Sequence, residues 1–190
     1  MQTLALTFDD GPDPVWTPRL LDRLRAHAAR ATFFPIAARA AAQPRLIERI
    51  RRDGHAIGLH CHQHVRHSDR DPGWLRRDTR LALAAMAGVG VRPLLWRTPW
   101  GDRAPWSAAI ADEHGLRLVG WTADTHDWRG DTAEQMLATT RDSIKPGTIV
   151  LAHDGIGPGS RRDDASETLR YVELVAEHAC RRGLAMEALG

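Results

Sequence analysis

Short apolar runs alternate with longer amphipathic stretches from one end of the chain to the other. The runs Thr3–Phe8, Ala31–Ile36, Ala56–His60, Pro93–Trp96, Arg117–Trp121, Thr148–Ala152 and Leu184–Glu187 predict about seven strands. Between them the apolar positions recur at helical spacing. Leu20, Leu21, Leu24 and Ala28 share one face behind Thr17-Pro18, which predicts an N-cap followed by a first-turn proline. Asp71-Pro72 opens a second helix that reaches Ala87. Asp131 and Glu134 have capping-box spacing ahead of Met136 and Leu137, and the segment Asp163–Arg182 carries Leu169, Val172 and Ala176 on one stripe. Strands and helices alternate with no linker, repeat or low-complexity stretch, so the expectation is one α/β domain over residues 1–190.

Composition narrows the partners. The formal charge is +2 and Lys145 is the only lysine among the basic residues. No arginine-rich helix or tail stands out, and aromatic and basic residues do not alternate, so nucleic acid is not an expected partner. Cys61 and Cys180 lie far apart in unlike contexts and do not suggest a disulfide. No apolar run approaches the ~20 residues of a membrane span, and the opening MQTLALTFDDGP lacks the basic start and apolar core of a signal peptide. The expected location is therefore cytoplasmic; a secreted protein whose leader has been removed reads the same way.

The residues just past each strand are more telling. Asp9 and Asp10 come after the first run, and His60 opens the cluster GLHCHQHVRHSD at the third. Arg97 comes after the fourth, Asp124, His126 and Asp127 lie beyond the fifth, and His153 and Asp154 lie beyond the sixth. In parallel α/β architectures the loops at the C-terminal ends of the strands converge, and sites are assembled there.

Two adjacent carboxylates leaving a strand point in different directions, so one can ligate a metal while the other acts as a base. In the histidine cluster a helical path groups His60, His64 and His67, whereas an extended path groups His60, His62 and His64. Both keep His60 and His64. With a carboxylate from Asp9 or Asp10, that pair makes a two-histidine, one-carboxylate metal site with positions open for water and substrate. Arg97 can hold a carboxylate ionised, and His153 can protonate a leaving group. Trp100, Trp121 and Trp128 are candidate pocket walls. A metal, a base, an acid and an orienting arginine together describe metal-assisted hydrolysis.

Five motifs in order, TFDDGP, HCHQH, RTPWG, DTHDW and LAH, resemble those of the polysaccharide deacetylases of carbohydrate esterase family four, the NodB homology domain. The resemblance spans nearly the whole chain. It implies a distorted (β/α) barrel of about seven parallel strands and hydrolysis of an N-acetyl or O-acetyl group. It implies that Asp9 is the general base, that Asp10, His60 and His64 bind a divalent metal, zinc first and cobalt or another transition metal next, and that Arg97 orients Asp9. It further implies that His153 is the general acid tuned by Asp127, that Trp128 and Leu151 receive the acetyl methyl, and that the Trp100 backbone N–H serves the oxyanion. The chain departs from the usual pattern at Cys61, where the family has Ser or Thr, and at Trp100, where it has Tyr.

The expected substrate is an acetylated sugar or glycan, or a small N-acyl compound. A related metal amidohydrolase acting on an acyl or formyl group of a small metabolite would use the same residues. A catalytically inactive glycan-binding module would have lost the base or the acid, and both Asp9 and His153 are present. Arg66, Arg70, Arg103, Arg129, Arg161 and Arg162 fall in the loops of the same edge, where free guanidinium groups would favour an anionic substrate.

Overall fold

Residues 2–190 are described in a computed structural model of the chain. The strand β1 (Gln2–Asp9) is buried on both faces from Leu4 onward, which explains why its sequence is a continuous apolar run rather than an alternating one. It pairs with β2 (Ala31–Phe34) on one side and β7 (Ile149–His153) on the other, and its first residues pair with β8 (Leu184–Met186). Farther out, β3 (Ala56–Ile57) pairs with β2, and β6 (Ala123–Asp124) pairs with β7. The strands β4 (Leu95–Trp96) and β5 (Arg117–Leu118) pair with each other and join β3 through a single bridge, Leu59 to Trp96. Around the wall the order is β5-β4-β3-β2-β1-β7-β6, and every pairing is parallel.

Among the described residues no pairing joins β5 to β6. At that seam the carbonyl of Gly120 accepts a hydrogen bond from Arg97 Nη2 at 2.8 Å. The fold is thus an open, distorted (β/α) barrel. Among the described residues there are eight strands, one more than the seven apolar runs, because the run Arg117–Trp121 does not form one strand. It ends at Leu118 and the chain passes Gly120 into the two-residue β6, too short to leave a periodic signal. Of the other expected strands β2, β3, β4 and β8 are shorter than their runs, with Ile36 and Leu59 making only isolated bridges, whereas β1 is longer than its run and β7 is shifted by one residue.

The helices are α1 (Trp16–Ala26), α2 (Ala37–Ala42), α3 (Pro44–Arg52), α4 (Pro72–Gly88), α5 (Ser107–Glu113), α6 (Ala133–Thr140) and α7 (Ser166–Arg181). Their apolar faces meet the sheet in one core that includes Leu6, Phe8, Leu21, Phe33, Ile47 and Val172. Asp71 caps α4 as expected, accepting from the Trp74 N–H at 2.9 Å. Two expected caps are displaced. Thr17 lies inside α1, whose opening N–H groups at Val15 and Trp16 go to Asp13 Oδ1 at 2.7 and 2.8 Å; its hydroxyl donates instead to Asp154. The capping box of α6 is Thr132 with Gln135, because the Asp131 carboxylate is taken by Arg129. The last helix begins at Ser166 rather than Asp163; Asp164 accepts from the Ser166 N–H just ahead of it. Among the described residues no helix is long and apolar enough to cross a membrane.

Candidate active site

The C-terminal ends of β1, β4 and β7 bring the acidic, basic and imidazole groups to one mouth. Arg97, fully buried just past β4, donates through Nη1 to Asp9 Oδ1 at 3.0 Å and to Thr7 Oγ1 at 2.6 Å. The Thr7 hydroxyl passes its own proton to the Val150 carbonyl, and the guanidinium lies over the Phe34 ring. A buried cation without an anion is strongly unfavourable, so this pairing keeps Asp9 and Arg97 in register. Asp9 itself faces the cavity.

Beside it stands Asp10, at the left-handed φ of 71°. Its Oδ1 lies 3.4 Å from His60 Nε2 and 3.3 Å from His64 Nε2. His60 donates its Nδ1 proton to the Arg97 carbonyl at 2.7 Å, which leaves Nε2 as the lone-pair nitrogen turned to Asp10. Asp10 Oδ1 is buried with no hydrogen-bond partner among the described residues. Two donors each bound at 2.0–2.1 Å with a tetrahedral angle between them lie about 3.3 Å apart. The spacing and the unsatisfied oxygen both fit a divalent transition metal, and Asp10, His60 and His64 form the one such ligand group among the described residues. Burial acts to raise the Asp10 pKa, but the surrounding imidazoles, His60 foremost with His153 and His64, outweigh it and hold the carboxyl well below its usual range. At His64 burial dominates, aided by the charge of His60, and lowers the pKa to about 4, which keeps the ring neutral.

The path from His60 to Val65 is neither helical nor extended, so neither spacing rule applies. Asp78 of α4 shapes the turn, accepting from the backbone N–H groups of His62 and Gln63 at 3.0 and 2.9 Å. His67 is turned away, bonded to Ser107 at 2.9 Å and packed on Trp96. Cys61 is buried, and burial, reinforced by the carboxylates of Asp78, Asp10 and Asp9, pushes its thiol pKa up and makes it inert.

On the opposite side His153 Nδ1 donates to Asp127 Oδ1 at 2.7 Å, leaving Nε2 for the cavity. Asp127 is fully buried, accepts also from the His153 N–H (2.9 Å) and the Thr168 hydroxyl (2.9 Å), and is ion-paired with Arg162 Nη1 at 3.1 Å. Burial works to raise its pKa, but His153 and then Arg162 hold it down at about 2. Burial likewise works to lower the pKa of His153, and the Asp127 charge and hydrogen bond, with smaller help from Asp10 and Asp9, raise it to about 9. The imidazole is therefore a proton carrier at neutral pH.

These groups line a cavity of about 350 Å³. Trp100, Trp121, Trp128 and Leu151 form its walls, while Arg97 and Asp127 stand behind Asp9 and His153. Trp100, itself at φ 54°, sets its ring against His64 with centroids 4.1 Å apart. Of the six loop arginines only Arg66 and Arg162 reach the cavity; Arg162 is committed to Asp127, and Arg66 lies over the Trp100 ring. Sequence reasoning did not reach Arg39, Asp78, Thr168 or the loop 155–160, and it placed Arg162 among the free rim arginines whereas the structure pairs it with Asp127. Only the glycine content of that loop, GIGPGS, was a visible signal.

A family model described as polysaccharide deacetylase matches residues 1–119. The chain is 33% identical over 195 residues to the chitooligosaccharide deacetylase of Bradyrhizobium sp. (strain ANU 289), spanning 99% of this chain and 89% of that protein. It is 36% identical over 182 residues to a peptidoglycan-N-acetylglucosamine deacetylase of Bacillus cereus, spanning 95% and 83%. Among solved structures, the family 4 carbohydrate esterase from Streptomyces lividans in complex with acetate superposes with a TM-score of 0.90 at 25% identity, covering 100% of this chain and 93% of the other.

Proposed function

The chain belongs to the polysaccharide deacetylase family, and on that basis we propose that it hydrolyses the N-acetyl group of an acetylated sugar or glycan, with Asp10, His60 and His64 holding a divalent metal, zinc foremost. The observation that carries this reading is the placement of two buried ion pairs, Asp9–Arg97 and His153–Asp127, around the Asp10–His60–His64 group at one cavity.

The metal would supply Lewis acidity towards the acetyl carbonyl and acidify water. Asp9 takes the proton of the attacking water. Arg97 keeps that carboxylate aimed, since its Nη1 holds Oδ1 and leaves Oδ2 for the water. His153 carries a proton on Nε2 and delivers it to the amide nitrogen as the C–N bond breaks, so that acetate and a free amine leave. Asp127 keeps the ring charged and fixes Nδ1 as a donor. The Trp100 N–H serves the carbonyl oxygen as negative charge develops there. Trp128 and Leu151 pack the acetyl methyl and exclude water from it.

The test is acetate release from N-acetylated chitooligosaccharides and peptidoglycan fragments by chelated protein and by protein restored with zinc or cobalt. Acetate and primary amine in equal amounts, only after metal is restored, are expected. No acetate from any acetylated sugar with metal bound would remove the reading.

A further inference from the structure

Asp10 presents Oδ1 to His60 and His64, yet that oxygen has no hydrogen bond to hold it. Its backbone adopts a left-handed conformation that L-residues with a Cβ rarely take up unless the surroundings fix it. The fixing groups are on the backbone side. The Asp10 N–H donates to the Phe34 carbonyl at 3.2 Å, and the Asp10 carbonyl accepts from Arg39 Nη1 at 2.9 Å. Arg39 extends from α2 and donates through Nη2 to the Ile156 carbonyl, also at 2.9 Å. A single planar guanidinium thus ties the loop after β1 to the loop after β7.

The second loop fits against the first only because it has no side chain at Gly155 or Gly157. A Cβ at Gly155 would lie 2.9 Å from both Arg39 Nη1 and the Asp10 carbonyl oxygen, and one at Gly157 would lie 1.7 Å from Asp10 Oδ2. At its far end the loop is anchored by the Arg161 N–H on the Trp128 carbonyl at 2.7 Å.

We propose that Arg39 is a positioning residue for Asp10. Together with the bare backbone at Gly155 and Gly157, it fixes the conformation from which Asp10 offers Oδ1, and so sets the affinity of the site for a divalent metal. The proposal rests on the metal-holding role proposed for Asp10, His60 and His64. Arg39 lies outside all five motifs, and its two carbonyls are taken by separate nitrogens of one rigid guanidinium fork.

The experiment is competition for zinc between the metal-stripped full chain and a chromophoric chelator of known affinity, with far-UV circular dichroism of the metal-free forms as the check on folding. Arg39→Met should weaken zinc binding about 10–100-fold, the loss usual when a group behind a metal ligand is removed. Gly155→Ala, which wedges a methyl into the same contact, should do likewise. Because both break one contact, the double variant should bind no more weakly than the weaker single one. Zinc binding by folded Arg39→Met as tight as the parent's, or losses that add in the double variant, would overturn the proposal. If Arg39→Met does not fold, parent-like affinity in Gly155→Ala overturns it alone. A parent that binds zinc no better than His64→Ala would instead remove the metal assignment itself, and this proposal with it.

Discussion

Replacing Asp127 with Asn changes one charge at the centre of the His153 site, and the contacts determine its effect on pH dependence. His153 is raised to about 9 although burial alone would take it below its ordinary value near 6.5; the Asp127 charge and its 2.7 Å hydrogen bond are the largest raising influences. In Asp127→Asn the burial remains, the anion is gone, and Arg162, 3.1 Å from the old carboxylate, is left as an uncompensated positive charge. The pKa should then fall below ~6.5. At pH 7.5 an imidazole of pKa 9 is about 97% protonated and one of pKa 6.5 about 9%, so the supply of acid alone drops roughly tenfold. A raised pKa gives the active, protonated form below it and loses that form above it, so the alkaline limb of kcat/KM should move from near 9 to below ~6.5. Since bound metal offsets the smaller contributions of Asp10 and Asp9, the displacement of the limb is the readout rather than its absolute position. The assay is acetate release at low substrate from pH 5.5 to 10, normalised to folded protein. A uniform loss of rate with the alkaline limb unmoved would refute the charge argument and leave Asp127 as a steric support.

Asp9→Asn should lower kcat by about 10²–10⁴-fold with metal content unchanged by elemental analysis; loss of metal as well would put Asp9 among the ligands. His64→Ala should lose stoichiometric metal while His67→Ala, whose ring is occupied with Ser107, keeps it, and equal retention in the two would refute the ligand assignment. Asp154 is buried beneath Gly11, and burial pushes its pKa up to about 7 against an unfolded value near 3.8. Its ionisation therefore costs stability progressively as pH rises from about 4 to 7, so Asp154→Asn should gain Tm relative to the parent across that window, and a constant Tm difference from pH 4 to 8 would contradict it. Leu151→Phe, which fills the wall beside His153, should raise KM or abolish turnover of acetylated sugars without loss of metal; unchanged kinetics would move the methyl site elsewhere.

The groups at the mouth were legible because each lies at the end of an apolar run, and in a parallel sheet that position alone carries a side chain there. Asp9, His60, Arg97 and His153 needed no more than this. The groups that hold them were not legible. Arg39 acts on Asp10 from 29 positions away and Arg162 supports Asp127 from a loop, and neither pairing leaves a periodic or compositional trace in so arginine-rich a chain. His64 was separated from His67 only by Asp78, which bends the intervening backbone from another helix. The missed β6 has two residues, below any length at which alternation can be read, and the displaced caps at Thr17 and Asp131 show side chains drawn off by stronger partners, Asp154 and Arg129.

The unpaired seam between β5 and β6 bears on how an inert form of this protein should be made. Arg97 bonds Gly120 in the connection that crosses this opening and, with the same guanidinium, Thr7 and Asp9 of β1, so it serves as a rivet between that connection and β1 as well as the partner of Asp9. Removing it would strand the carboxylate of Asp9 and loosen the wall together, and an inactive product would be uninformative about chemistry. A non-hydrolysing reagent that still grips acetylated sugars, for tracing glycans or trapping a bound ligand, should therefore be built at Asp9, where the change is one atom and the rivet stays in place.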